Sequence, residues 1–264
     1  MKSKMLFLSA GFSIAVLVSC GGGGADVQNP APVPVSPPAS AQAPGGLYVG
    51  YYYEDPVDNP EDTTLGTVFL NLPDGNSDFK GNMSFSYVGC QTENVGTVAG
   101  LKTDKTLTGS WTGTLDAIAE GGSYKGVYES TQNSYSGTYT VTGGKKFREV
   151  PNCIRYYIAA YGTWQLFPLN STSSGDDPAA QGIAISGTNV TWFPPSGTTN
   201  SLVSLIDQER ALRNENQAVI VQSFTTGNTF DLPATLVAGR SYVASVVSRN
   251  AVNQTYVSNK VFVK

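Results

Sequence analysis

Between residues 111 and 139 one five-residue pattern occurs three times: Trp111-Thr112-Gly113-Thr114-Leu115, Tyr124-Lys125-Gly126-Val127-Tyr128 and Tyr135-Ser136-Gly137-Thr138-Tyr139. Side chains along a strand repeat every second residue, so the ring, the glycine and the second large residue share one face. A glycine between two large side chains lets the strand coil and gives neighbouring rings room. A small closed barrel needs both. The glycines stand 13 and then 11 residues apart, and no segment of residues 46–168 offers sustained helical periodicity.

The pattern belongs to a longer region, residues 46–170, of short aromatic segments separated by Gly, Asn, Asp and Ser. Alternation and turn chemistry predict eight strands near 46–53, 65–72, 79–89, 94–101, 106–115, 122–130, 134–142 and 154–167. Pro73-Asp74-Gly75-Asn76, Gly121-Gly122 and Gly143-Gly144 mark gaps between them. Eight sequential strands with short turns predict an up-and-down antiparallel barrel in which strand one closes on strand eight. Gly109-Ser110-Trp111-Thr112-Gly113-Thr114 is similar to the Gly-x-Trp segments of avidin-like and lipocalin-like barrels. In those families the segment lies at the first strand. Here the first strand reads Gly46-Leu47-Tyr48-Val49-Gly50, so no biotin-binding residue carries over.

After a linker at 171–177 the pattern becomes sparser in aromatics. Asn189-Val190-Thr191-Trp192-Phe193-Pro194-Pro195-Ser196-Gly197 and Leu236-Val237-Ala238-Gly239-Arg240-Ser241-Tyr242 resemble the second strand and the Leu-x-x-Gly-x-x-Tyr signature of fibronectin type III domains. The resemblance covers residues 178–264. It implies a β-sandwich with Trp192 as the core indole and Tyr242 as a tyrosine corner, its hydroxyl bonded to upstream backbone. Ala244 and Val246 continue inward from Tyr242, and Tyr256 to Val263 supplies the last strand. Residues 202–218, with Glu209, Arg210, Arg213 and Glu215, read by propensity as an amphipathic helix. The sandwich context favours a strand, a charged turn and a second strand from Gln217. The expected fold class is therefore all-β: an eight-stranded up-and-down barrel followed by a fibronectin type III-like sandwich.

At the other end, Lys2 and Lys4 precede an apolar run from Met5 to Val18, too short for a comfortable membrane span. Leu17-Val18-Ser19-Cys20 resembles the lipobox of bacterial lipoproteins. That implies a signal peptide at 1–19 and fatty acylation of Cys20, the palmitate-type chains anchoring the protein in a membrane. Gly21, where that family carries Asp for inner-membrane retention, implies the outer membrane. With Cys20 acylated, Cys90 and Cys153 remain as an even pair in an oxidising compartment, so one disulfide is expected between them. Residues 20–45 are rich in Gly and then Pro, a spacer of polyproline character.

The chain has no histidine, which removes Ser-His-Asp and Cys-His catalysis, histidine metal sites and a histidine general base. Sixteen Lys and Arg against 20 Asp and Glu leave no cationic surplus, so no nucleic-acid partner is expected. Phosphate-cradling loops, nucleophile elbows and paired catalytic carboxylates in a recognisable motif are all missing, so no catalytic residue, no enzyme activity and no cofactor is expected. Glu54-Asp55-Pro56-Val57-Asp58-Asn59-Pro60-Glu61-Asp62 offers calcium ligands in Asp55, Asp58 and Asp62, although a solvated acidic loop is the plainer reading. Asp74-Gly75-Asn76-Ser77-Asp78 begins like a calcium loop but lacks its glycine and final Glu, and reads as a hairpin turn.

Aromatic residues are the surplus. Tyr51, Tyr52 and Tyr53 are consecutive, so both faces of the first strand carry rings, and barrel closure would bring Tyr156, Tyr157 and Tyr161 near them. Trp111, Tyr124, Tyr135 and Trp164 would line the inside of a hollow barrel and are the candidate ligand-binding residues. The expected function is a non-catalytic, lipid-anchored cell-envelope protein acting in adhesion, scaffolding or envelope assembly, with a protein or glycan partner at the surface. The alternatives are a small-molecule or glycan carrier, or an accessory binding subunit of a polysaccharide-degrading system. A close-packed barrel interior would separate the first from the second.

Overall fold

The computed structural model of the chain describes residues 42–54, 64–87, 90–115, 118–143, 146–148, 156–158, 161–169, 172–173, 182–215, 217–250 and 255–264. Seven strands follow one another from the N-terminal side: β1 (Gly46–Glu54), β2 (Thr64–Leu72), β3 (Ser77–Tyr87), β4 (Cys90–Thr103), β5 (Thr106–Leu115), β6 (Ile118–Glu129) and β7 (Ser134–Val141). β8 (Lys146–Arg148) and β9 (Tyr156–Ile158) pair with each other, and β10 (Tyr161–Pro168) runs between β7 and β1. The result is a closed antiparallel barrel of order β1-β10-β7-β6-β5-β4-β3-β2. Along the closing seam Tyr48 stands opposite Pro168 and Glu54 opposite Gly162, so no edge remains for another chain to extend.

The expected eight-stranded barrel is thus the observed one, with a correction at its last strand. Of the expected strand 154–167, Tyr161–Pro168 is the barrel strand and Tyr156–Ile158 belongs to a separate two-stranded sheet. β7 ends at Val141, and the ladder between β7 and β10 begins where Thr140 meets Tyr161. Tyr156–Ile158, as β9, pair with β8. The calcium-like stretch at 74–78 is a turn into β3, as the hairpin reading predicts. Asp104, in the tight turn between β4 and β5, takes a left-handed conformation (φ 52°), which Asp tolerates better than most residues.

Beyond the barrel, β12 (Ile183–Ser186), β13 (Asn189–Trp192) and β16 (Thr229–Asp231) make a three-stranded sheet in that order. A five-stranded sheet has the order β11 (Thr172–Ser173), β18 (Thr255–Val263), β17 (Ser241–Asn250), β14 (Thr198–Asp207) and β15 (Val219–Thr225). Two residues of the segment expected as linker therefore pair as β11, opposite Ser258 and Val257. The two sheets share a core in which Val190 and Trp192 meet Val203, Leu205, Ala244 and Val246. The buried Trp192 indole donates to Ser201 Oγ at 3.3 Å. The buried Tyr242 hydroxyl accepts the Val237 N–H at 3.0 Å.

Between β14 and β15 the charged segment is one helical turn, α1 (Gln208–Leu212), rather than an irregular turn. Its cause is Asp207, a buried carboxylate that caps the helix by accepting the Arg210 N–H at 3.1 Å and lies 2.8 Å from Arg240 Nε. Ala211 is carried into a buried cluster that spans both parts of the molecule: Leu47, Val49 and Phe69 of the barrel pack with Ile206, Ala218 and Val243. A second shared cluster joins Tyr51 and Phe167 to Leu202, Val247 and Val257. Between them Gln222 Nε2 donates to Thr67 Oγ1 (3.0 Å) and Ser204 Oγ (3.2 Å), while its Oε1 accepts from Ser84 Oγ (3.3 Å). One wall of the barrel is thus seated on the five-stranded sheet. Among the described residues no helix is long and apolar enough to cross a membrane.

Candidate binding site in the barrel

The inner face of the barrel follows directly from the alternation in its strands. Trp111, Tyr124 with Tyr128, and Tyr135 with Tyr139 all point inward, with the glycine of each repeat between them. With Tyr48 and Tyr52 of β1 and Trp164 of β10 they form one aromatic cluster, completed by aliphatic residues such as Leu70, Leu107 and Leu166. The rings meet edge to face: Tyr124 on Trp164 (6.0 Å, 85°), Tyr52 on Tyr139 (5.9 Å, 88°), Trp111 on Tyr139 (6.1 Å, 88°) and Tyr48 on Tyr135 (5.4 Å, 72°). This is the arrangement that ring quadrupoles favour.

The glycines make this filling possible. A Cβ at Gly162 would lie 2.5 Å from the Tyr139 ring, one at Gly66 2.6 Å from the Tyr52 ring, and one at Gly122 2.7 Å from Trp111 Nε1. At Gly126 it would run into the Trp164 indole. Each of these four rings therefore lies over a glycine of another strand. Of these four glycines, Gly126 belongs to the repeat read from the sequence.

Trp111, Tyr124, Tyr135 and Trp164, expected to line a ligand cavity, are brought together, and three of them spend their polar tips on the barrel wall. Trp111 Nε1 donates to Thr140 O (3.1 Å), Trp164 Nε1 to Thr138 O (3.2 Å) and the Tyr124 hydroxyl to Ala99 O (3.2 Å). Tyr135 differs: it is fully buried between Tyr48 and Tyr128, and its hydroxyl has no hydrogen-bond partner among the described residues. Burial pushes the phenols of Tyr48, Tyr124 and Tyr135 well above their ordinary range; neighbouring phenols add to this for Tyr48 and Tyr135. These rings stay neutral throughout the physiological range.

The outward rings of β1 are not a solvent-facing platform. Tyr51 and Tyr53 stack at 5.9 Å, and the Arg249 guanidinium lies 4.1 Å over the Tyr53 ring. Tyr51 also donates to Gln165 Oε1 at 3.2 Å. Tyr161 stands half exposed at the start of β10. Tyr156 and Tyr157 belong to the β8–β9 pair and are not neighbours of β1 in the barrel ladder.

On the outer wall an open cleft of about 920 Å³ runs across β3, β4 and β5 towards the turn after α1, with Asp78, Lys80, Leu101, Thr108, Ser110 and Asn214 along it. Of the remaining expected site residues, Cys20, Cys153, Asp55, Asp58 and Asp62 lie outside the described residues. Cys90 opens β4 opposite Tyr87, and only its backbone is described.

One residue with a defined role escapes a motif-based reading: Lys102, fully buried at an inward position of β4. The signal was available. Val98, Gly100 and Lys102 alternate with Ala99, Leu101 and Thr103, so a charge falls on the apolar face.

Fold and site together define an all-β protein: a closed eight-stranded antiparallel barrel with an aromatic core, one wall of which carries two further sheets. Compared with known proteins, the chain matches no family model, no curated protein and no solved structure.

Proposed function

We propose that this chain is a non-catalytic, lipid-anchored protein of the cell envelope, acting through its outer surfaces in adhesion, scaffolding or envelope assembly. The observation that carries the reading is the barrel interior. Its candidate ligand residues pack on one another, and three of the four bond their polar tips to the wall. A carrier needs convergent polar groups around an apolar void, and this interior is filled with the chain's own rings. A filled barrel seated on a second module is suited to presenting surface at a distance from a membrane.

The C-terminal module is, in this proposal, fibronectin type III-like. Supporting that is a three-stranded sheet facing a sheet that contains the run β18-β17-β14-β15, with the Trp192 core indole and the Tyr242–Val237 bond. Anchoring rests on the lipobox resemblance at Cys20, and outer-membrane placement on Gly21. The Cys90–Cys153 disulfide belongs to the same reading, as export to an oxidising compartment would form it. The test of anchoring is fractionation of cells producing the Cys20→Ser variant. Release of the protein from the membrane fraction is expected, and full retention would count against the anchor. For the surface role, cross-linking on intact cells should trap a protein or glycan neighbour through the barrel's exposed wall or the C-terminal sheets.

A further inference from the structure

One end of the barrel is stoppered by the chain's own residues 42–45. This end is made by the β2–β3 turn, the β4–β5 turn and the start of β1. Ala43 is 1% exposed and belongs to the barrel's core cluster. Its N–H donates to Asp104 O at 3.4 Å, and its carbonyl accepts from Lys102 Nζ at 2.7 Å. The same ammonium donates to Pro73 O at 2.6 Å and to Asp74 O at 3.4 Å, and Lys102 is 0% exposed.

Further ties surround this grip. Gln42 Nε2 donates to Asn76 Oδ1 at 2.8 Å, and that oxygen also accepts the Asp104 N–H at 2.6 Å. The Tyr48 hydroxyl donates to Pro44 O at 3.1 Å. At Gly45 the chain passes so close to the β2–β3 turn that a Cβ would lie 2.7 Å from the Asp74 nitrogen.

An ammonium has three donors and no acceptor, and here three carbonyls meet it. Buried charge is tolerated only where such groups replace the lost water. The acceptors come from two segments, the incoming chain and the β2–β3 turn, so one side chain of β4 staples both. Tyr48, which bonds Pro44, packs on Tyr135 and Tyr135 on Tyr128, and the Tyr135 hydroxyl has no hydrogen-bond partner among the described residues.

We propose that residues 42–45 form a plug in the barrel end and that Lys102 is its lock: breaking the lock frees the incoming chain and opens that end while the strand ladder stays intact. The inference rests on the geometry of residues 42–48, 73–76 and 102–104 and is independent of what the outer surfaces bind.

Hydrogen exchange read by mass spectrometry on the full-length chain in detergent tests it. In the unaltered protein, the Ala43 amide and those of 45–47 are expected to be protected. Lys102→Met keeps most of the stem and removes the ammonium. Exchange at 43–45 should then rise about 100-fold, the scale set by losing hydrogen bonds to a buried charge, with the β1–β2 ladder, β5 and β6 unchanged. Ala43→Trp, whose indole cannot seat where a methyl is buried, should give the same local release with Lys102 intact. The proposal is overturned if 43–45 exchange freely in the unaltered protein. Unchanged protection in a folded Lys102→Met variant overturns it as well. If Lys102→Met loses protection throughout the barrel, Ala43→Trp decides: local release supports the plug, and protection either retained or lost everywhere overturns it.

Discussion

The barrel has two walls with the same kind of inner face and different outer ones. From Val95 through β4, β5 and β6, exposed and inward positions alternate, with Thr97, Thr108, Ser110, Thr112, Ser123 and Lys125 on the outside. In β1 and β2 the alternation vanishes: residues 47–52 and 66–70 are buried at every position. On this second wall Leu47, Val49 and Phe69 face the five-stranded sheet, while Tyr48, Tyr52 and Leu70 face the barrel core. A strand that reads as continuously apolar is one covered on both sides, and here the chain supplies both covers. The same holds across the interface for β14, where Val203 and Leu205 serve the C-terminal core and Leu202 and Ile206 serve the barrel.

The contrast can be tested by perturbing one face at a time. The largest effect should come from alkali, which attacks both buried faces together. Tyr48, Tyr124 and Tyr135 inside, and Tyr51 on the covered wall, all have phenol pKa values raised chiefly by burial. A phenol whose folded pKa lies above its unfolded value stabilises the fold fully below the unfolded value and loses that contribution as pH rises beyond it. Stability should therefore hold up to about pH 10, the ordinary tyrosine value, and fall above it. Phenolate absorbance and circular dichroism should change together in an alkaline titration.

Next in size is Trp164→Ala, which empties the socket over Gly126 and should cost about 4 kcal/mol in denaturant unfolding. Phe69→Ala, on the covered wall, should cost about 3 kcal/mol although its side chain points out of the barrel. A cost near zero for that variant would mean that the two modules do not share a core. Smallest is Thr112→Ala on the free wall, where an exposed hydroxyl pairs with Thr97 at 2.9 Å; its effect should stay within about 0.5 kcal/mol.

Much of this was legible in the residues. Ring, glycine and large residue at alternate positions predicted the barrel and its inward face, because period two is enforced by backbone geometry. That Tyr156-Tyr157-Ile158 would pair with β8 outside the barrel was not visible, since it has the same β-forming character as the true barrel strand. The three consecutive tyrosines put rings on both faces of β1, but did not show that the outer face would be covered by this chain's own C-terminal sheet. Trp111, Tyr124, Tyr135 and Trp164 were correctly grouped, yet hollow and filled barrels use the same pattern. The difference lies in which glycine each ring occupies, a property of register between strands rather than of any one strand.

The central claim is that the barrel is filled by its own side chains and works from the outside. Mass spectrometry of the full chain, purified gently from the producing cell's envelope and measured under native and then denaturing conditions, tests it most directly. The account predicts one covalent mass under both conditions, with nothing lost on unfolding. A companion molecule that survives natively and departs on denaturation would contradict it.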